Sequence, residues 1–406
     1  MSSVAPGQSG YVFDPYSSEF AEDPYSTYKW MRDEAPVYHQ PNMNFWMLTR
    51  YEDVCQAHND PVIFSSSAGP MIERMPHAAK LLIGKDNPEH GVAKRMMTKV
   101  FSRDRMGALS GFIRTKASAL LEACYAKHGP AGEFDFVSEF TVQLPLAVIS
   151  EFLGIPEDRR QEIHDLSNIY VVRETGADLS KQNEARMKLW QIYFQITQER
   201  RKEPKDDPIS LLLAVEETDE NGVVHRVSDE DVAHRFLEMG FAGHETVAKA
   251  MPNGAIALQR FPEQRAKMAA DQSNSHKLTQ EILRYDPPSQ LQGRLTMQDL
   301  TLHGVTIPAD SRVMLATGAA TRDPRAFPNP DVFDIDRDRD GRMIAFGFGP
   351  HRCLGVHLAQ LEIAIAFEEL FARFPDWKVF PERATRVVLS NVRGVSSLPI
   401  VLGKHA

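Results

Sequence analysis

The sequence predicts a predominantly α-helical chain with small antiparallel β-sheets. Three observations carry that reading. Apolar residues recur at helical spacing over seven long stretches, while alternating β-like stretches are short and few. No internal repeat, low-complexity block or long linker divides the 406 residues. We therefore expect a flexible tail over residues 1–10, which are small and polar, and a single domain over 11–406.

The helical stretches run over 89–101, 107–128, 137–153, 182–201, 229–260, 277–285 and 354–374. Short strands are expected at 45–48, 300–307, 312–315, 386–389 and 399–402, with polar surface loops at 202–207 and 218–222. The stretch from Ser228 is the most explicit. Ser228 and Asp231 make a capping box, and Asp229 and Glu230 sit at the positive end of the helix dipole. Val232, Phe236, Met239 and Gly243 follow at helical spacing. A helix continuing to Arg260 would be roughly 45–50 Å long, enough to cross the molecule. Pro252 falls inside it. The sequence allows one helix kinked there, with the bond to Ala248 lost, or two helices dividing near Ala250.

Composition is ordinary for a globular chain, at 42% hydrophobic and 25% charged residues, which excludes fibrous and disordered classes. A net charge of -9 argues against nucleic acid as a partner. Cys55, Cys124 and Cys353 show no paired spacing, so no disulfide framework is expected and a reducing, cytoplasmic location is. The most apolar runs, 211–215 and 363–367, fall far short of the roughly 18–20 residues that span a bilayer.

The sharpest segment is Phe346-Gly347-Phe348-Gly349-Pro350-His351-Arg352-Cys353-Leu354-Gly355. Cys353 is expected to open a long apolar helix, whose N-terminus favours thiolate. Gly347, Gly349 and Gly355 let a bulky partner approach the backbone. Local physics leaves several readings open. They are a buried structural cysteine, a zinc cluster of His351, Cys353 and His357 that lacks a fourth ligand, and a Cys/His nucleophile pair. A single axial thiolate to haem iron needs only one cysteine, which the loop offers.

The loop fits Phe-x-x-Gly-x-His-x-Cys-x-Gly, and other segments follow in matching order. Asn87-Pro88-Glu89-His90 resembles the start of a haem-flanking helix, Ala242-Gly243-His244-Glu245-Thr246 an oxygen-activation motif, and Glu281-Ile282-Leu283-Arg284 a Glu-x-x-Arg helix. From about residue 11 to the C-terminus the chain resembles the cytochrome P450 haem-thiolate monooxygenases of the soluble bacterial type.

That resemblance implies haem b between the long central helix and the helix following the Cys loop, with Cys353 as the axial ligand of the iron. It implies ring contacts from Ala242, Gly243, Phe346, Gly347 and Gly355, and propionate contacts from His90, Lys94, Arg294 and His351. Lys94 stands where Arg is usual, giving a point charge for a fork, with Arg95 as a neighbouring substitute. Thr246 and Glu245 become the catalytic alcohol and acid that organise water and deliver protons. Glu281 and Arg284 become a buried structural pair, although their spacing alone suits a surface pair of little worth. Val332 replaces a frequent Arg before Phe333, so another group must complete that pair's network. Val247 replaces a frequent second Thr.

Substrate contacts are expected from Met75, Leu82, Phe241, Ala242, Thr246, Gln290, Gln292 and Val392, with further contributions from 169–186. Met71, Ile72, Met75, Leu81, Leu82 and Ile83 make the access loop apolar and adaptable, suggesting a lipophilic substrate of terpenoid, fatty-acyl or steroid-like type. The length leaves no room for a flavin domain, so a ferredoxin and its NAD(P)H-dependent reductase are implied, with O2 as co-substrate and a monomeric enzyme. Lys94, Arg95, Lys99, Arg103, Arg105 and Arg352 would steer an acidic carrier. A peroxide-driven oxygenase is the main rival, and Glu245-Thr246 argues against it. A catalytically silent haem-binding protein is the other.

Overall fold

A computed structural model describes residues 11–171, 180–339, 341–389 and 391–406. The expected tail over 1–10 lies outside the described residues, as does 172–179 within the 169–186 stretch.

The central helix is a single element, Asp229–Arg260, of 32 residues. The Ser228 hydroxyl accepts from the Asp231 amide at 3.0 Å and donates to its carboxylate at 2.9 Å, so the cap forms as the sequence expects. Pro252 does not divide the helix. The helix packs against Gln143–Phe152, Ser180–Lys202, Ser275–Tyr285 and Val356–Arg373, and this surround holds it through the missing bond. Gly254 lets the Ser275–Tyr285 helix come close, since a Cβ there would stand 2.4 Å from Ile282.

Other expected elements are present with shifted edges. The 107–128 stretch is preceded by a separate short helix, Arg103–Ala108, capped by Ser102, before Ser110–His128. The 137–153 stretch divides into a π turn, Val137–Thr141, and an α-helix, Gln143–Phe152. Pro145 has no N–H to give to the Thr141 carbonyl, so a continuous α ladder cannot form there. The helix after the Cys loop begins at Val356, not at Cys353. Pro24–Glu34, Tyr51–Asn59, Glu157–Val171 and Pro262–Ala270 are further helices that the periodicity did not single out.

The main sheet orders Val37–Gln40, Phe45–Leu48, Arg312–Ala316, Leu291–Thr296 and Phe64–Ser65. Its pairs are antiparallel except Arg312–Ala316 with Phe45–Leu48, which is parallel. The expected strand at 300–307 is a hairpin, because His303 and Gly304 both take positive φ, 51° and 78°. The strand expected at 386–389 shrinks to Thr385–Arg386. The largest core surrounds the central helix, and two smaller cores lie on the sheet. Among the described residues no helix is long and apolar enough to cross a membrane.

Candidate active site

Ala242 is exposed although Gly240 and His244 beside it, and the helix from Val247 to Leu258, are buried. One line of the central helix therefore faces an open interior space. The Thr246 hydroxyl lies on that line and donates back to the Ala242 carbonyl at 3.4 Å. Gly243 does something else. A Cβ there would meet Ile149 at 2.7 Å, so its smallness admits the Gln143–Phe152 helix and not a ligand. Any ring contact from Gly243 would therefore have to come from its backbone.

Glu245 points about 100° away from Thr246 around the helix, and no hydrogen bond joins them among the described residues. Burial raises its carboxyl pKa, with Lys249 one turn on opposing the shift, and its Oε2 has no partner. Lys249 donates to the Val395 carbonyl at 3.2 Å.

In the Cys loop, Gly347 and Gly349 take φ of 72° and 66°, which a side chain would strain. A Cβ at Gly349 would also strike the His58 carbonyl at 2.7 Å. The Cys353 amide donates to the Phe346 carbonyl at 2.9 Å, closing the turn. Its side chain is exposed, yet desolvation is the largest influence on it, so its surface opens into a space enclosed by protein. Burial pushes the thiol pKa up, against the Gly355 amide, Lys94 and Arg352. Burial therefore opposes the thiolate stabilisation that the sequence reading assigned to the helix terminus. Cys353 stands three residues before the helix and gains little from its dipole.

Beside the loop lies a cluster of bases with few acceptors. His351 stacks on His90 at 3.9 Å, and the Ser66 hydroxyl lies 3.1 Å from His351 Nε2. Arg294 is 4% exposed; it donates to its neighbour's carbonyl, Gly293, and lies 3.4 Å from His58 Nδ1. The Nε2 atoms of His58 and His90 are buried without partners. Burial lowers His351 to about 2, His58 to about 3, His90 to about 4 and Arg294 to about 10. Asp86 is the carboxylate felt by His90 and Arg294, and it already accepts from Ser66 N and Ser65 Oγ. Lys94 donates to the Arg352 carbonyl. Arg95 instead pairs with Glu217 at 2.5 Å, and so does Lys99 at 2.6 Å. Lys94, not Arg95, therefore faces the loop; with Arg105 paired to Asp206 at 3.1 Å, three of the six expected basic residues are held in ion pairs.

The access loop, 66–85, is held at two points. Arg312 donates to the carbonyls of Gly69, Met71 and Ile72. The buried Glu238 carboxylate, on the central helix, accepts from Leu82 N at 2.7 Å and Ile83 N at 2.9 Å. Leu82 is buried, and Phe241 meets Tyr170 edge-on at 5.3 Å. Met75 folds back on Gly69, where a Cβ would touch its sulfur at 2.7 Å. Gln290 and Val392 do not join this group. They line a cleft with Phe20, Pro24 and Arg393 that takes no residue from the central helix, and Gln290 donates to Pro287 O at 2.7 Å. Gln292 is bonded to Ser289 Oγ and Thr317 Oγ1.

Over 403 residues the chain is 36% identical to a vitamin D(3) 25-hydroxylase of Pseudonocardia autotrophica, covering 97% of each. The chain belongs to the cytochrome P450 family. The family profile, described as Cytochrome P450, matches residues 276–401. Two solved P450 structures superpose closely. Cytochrome P450 CYP109Q5 from Chondromyces apiculatus has a TM-score of 0.87 and 29% identity, over 97% of this chain and 98% of that one. CYP109E1 from Bacillus megaterium in complex with corticosterone has a TM-score of 0.83 and 28% identity, over 95% and 100%.

P450 monooxygenases carry a haem-thiolate cofactor, and the residues of this P450 fit one. An exposed thiol opens into an enclosed space, a lone exposed alanine interrupts a buried helix, and buried basic nitrogens lack acceptors. That donor set suits an acidic, flat ligand held by sulfur. The Glu281–Arg284 pair of this P450 is fully buried, with bonds of 2.8 and 3.0 Å. Arg337 and Arg339 also reach Glu281, at 3.3 and 3.1 Å, and the Val332 carbonyl accepts from Arg284 at 3.0 Å. The group missing at Val332 is thus supplied from five and seven residues further on. Glu238 opens the stretch of the central helix, Glu238–Thr246, that the sequence reading gave to the pocket, whereas sequence reasoning missed His58, Asp86, Arg235 and Arg312. His58, Arg235 and Arg312 become visible only as buried polar groups in three dimensions, and Asp86 only through its bonds to Ser65 and Ser66.

Proposed function

We propose that this P450 holds haem b and inserts one atom of O2 into a lipophilic small molecule, of terpenoid, fatty-acyl or steroid-like type. Electrons come from a ferredoxin and its NAD(P)H-dependent reductase. The observation that carries the reading is the enclosed but exposed Cys353 thiol, on a loop whose following helix packs against the helix bearing exposed Ala242. When bound, the haem supplies dioxygen activation. Cys353 is the iron ligand; Phe346, Gly347, Gly355 and Ala242 flank the ring; His90, Lys94, Arg294 and His351 receive its carboxylates. The Thr246 hydroxyl, released from the Ala242 carbonyl, orients water. Glu245, whose raised pKa keeps a proton on its carboxyl to higher pH, passes that proton inward.

Met75, Leu82 and Phe241 supply apolar contacts near the access loop, in keeping with a lipophilic substrate. Relatives named for vitamin D(3) hydroxylation and bound to corticosterone support the same class. Arg103 and Arg352, both felt by His357, remain as the basic surface for an acidic carrier.

The test is the carbon monoxide difference spectrum of the reduced protein. A strongly red-shifted Soret band is expected; a band at the position of histidine-ligated haem would remove Cys353 from its role. Oxygenated product should then form with NAD(P)H, reductase and ferredoxin. Product with peroxide alone would favour the peroxide-driven rival. In Thr246→Ala, product per NAD(P)H should fall several-fold while fold stability is unchanged.

A further inference from the structure

Arg235 lies on the central helix two turns before Ala242 and is 4% exposed. Its Nε and Nη1 are buried without hydrogen-bond partners, and no carboxylate stands within ion-pair distance among the described residues. Its acidic neighbours are Glu238 and Asp231. Glu238 is committed to the amides of Leu82 and Ile83, and Asp231 to the capping hydroxyl of Ser228. A buried guanidinium with its fork unfilled is a costly arrangement unless an anion completes it.

Helical geometry says where that fork lies. Seven residues turn the helix by about 700°, which leaves Arg235 within roughly 20° of Ala242 and about 10 Å from it along the axis. Thr246 lies on the same line to within roughly 20° of Arg235. Since Ala242 is exposed to the interior, Arg235 belongs to the line that faces the site. The surroundings are amphipathic. His77, Lys80 and Arg186 all bear electrostatically on His234, next to Arg235. Ile83 of the access loop, Ile169 of Glu157–Val171 and Met187 of Ser180–Lys202, a helix that packs on the central one, are large apolar side chains left exposed.

We propose that Arg235 binds the carboxylate of an acidic lipophilic substrate and fixes the reacting carbon about 10 Å away, opposite Ala242. A planar guanidinium matches a carboxylate bidentately, and a neutral ester or alcohol offers it no charge. The inference rests on the proposed monooxygenase reading of the site and narrows its substrate class. A carboxylate could also come from the cofactor itself, and the experiment separates the two sources.

The haem-loaded enzyme is titrated with hexadecanoic acid and with a steroid carboxylic acid, each against its methyl ester, by calorimetry and by the spin-state shift of the Soret band. For at least one pair the acid should bind roughly tenfold or more tighter than the ester. Arg235→Met should abolish that preference, leave ester affinity within about twofold, and keep haem content and the carbon monoxide spectrum of the parent. Arg235→Lys should retain part of the preference, reporting charge without the fork. Three results would overturn the proposal: no acid preference in either pair, a preference that survives Arg235→Met, or loss of haem from that variant, which would give Arg235 to the cofactor. A normal carbon monoxide spectrum without acid preference rejects this inference alone, whereas calorimetric acid preference without a thiolate spectrum rejects the monooxygenase reading.

Discussion

Two buried charge clusters in this P450 are built on opposite principles. Around Glu281 every Arg284 nitrogen has a partner, from the Glu281 carboxylate and the carbonyls of Thr321, Pro330 and Val332. Around His90, His58 and Arg235, buried nitrogens lack acceptors. Buried polar groups are normally satisfied, and each exception asks for an explanation. Arg284 in the first cluster is complete, although Arg339 beside it keeps a partnerless Nε, while His58, His90 and Arg235 in the second keep buried nitrogens that suit a carboxylate. The same burial stabilises the first cluster and leaves the second to be completed from outside the chain.

The sharpest way to break the comparison is Glu281→Gln. It strands three arginines, and removing one partner of a buried pair costs about 3–5 kcal/mol. Urea unfolding and the yield of folded protein should both register that loss; a change below about 1 kcal/mol would mean the network is ornamental. Arg294→Gln should behave oppositely. Haem release to an excess acceptor should accelerate by about tenfold, while the cofactor-free chain keeps its stability or gains about 1 kcal/mol. A large loss of stability in the cofactor-free chain would place Arg294 with Glu281.

A smaller effect comes from His234, whose pKa burial lowers to about 4, with Lys80 and Arg186 adding to the shift. A base with a depressed folded pKa contributes its full stability above about pH 6.5, where the unfolded histidine is also neutral. As pH falls towards 4 the unfolded chain binds a proton that the fold refuses, and stability is lost. We expect His234→Gln to recover about 1–2 kcal/mol at pH 5 relative to its effect at pH 7.5, discounted for partial exposure. Parallel urea midpoints at the two pH values would reveal an equal offset if the histidine stays uncharged in both states.

The smallest expected change is Val332→Arg. Arg337 and Arg339 already occupy Glu281, so a further arginine should alter stability by no more than about 0.5 kcal/mol. A gain above about 1 kcal/mol would show the network to be unfinished.

Much of this was legible in the order of residues. The cap at Ser228, the apolar period of the central helix, the glycine-framed Cys353 loop and the Glu281–Arg284 spacing are local patterns, and local patterns survive reading one residue at a time. Each gave an element or motif in its proper place. Local patterns also misled where a neighbour decided the outcome. Gly243 is small for Ile149, Gln290 is turned towards Pro287, Arg95 is drawn to Glu217, and Cys353 stops short of the helix it was expected to open. Pro252 could have broken the central helix, but the helices packed around it hold one continuous element.

The sequence by itself determined the helical class and the place of the Cys353 loop, because periodicity, capping and motif spacing are properties of adjacent residues. The tertiary structure alone decided which charges are satisfied. His58, the central-helix pair Arg235 and Glu238, and Arg312 come from segments far apart in the chain, and their burial exists only once those segments pack. Desolvation depends on everything within reach of a group, and no single stretch of sequence contains that surround.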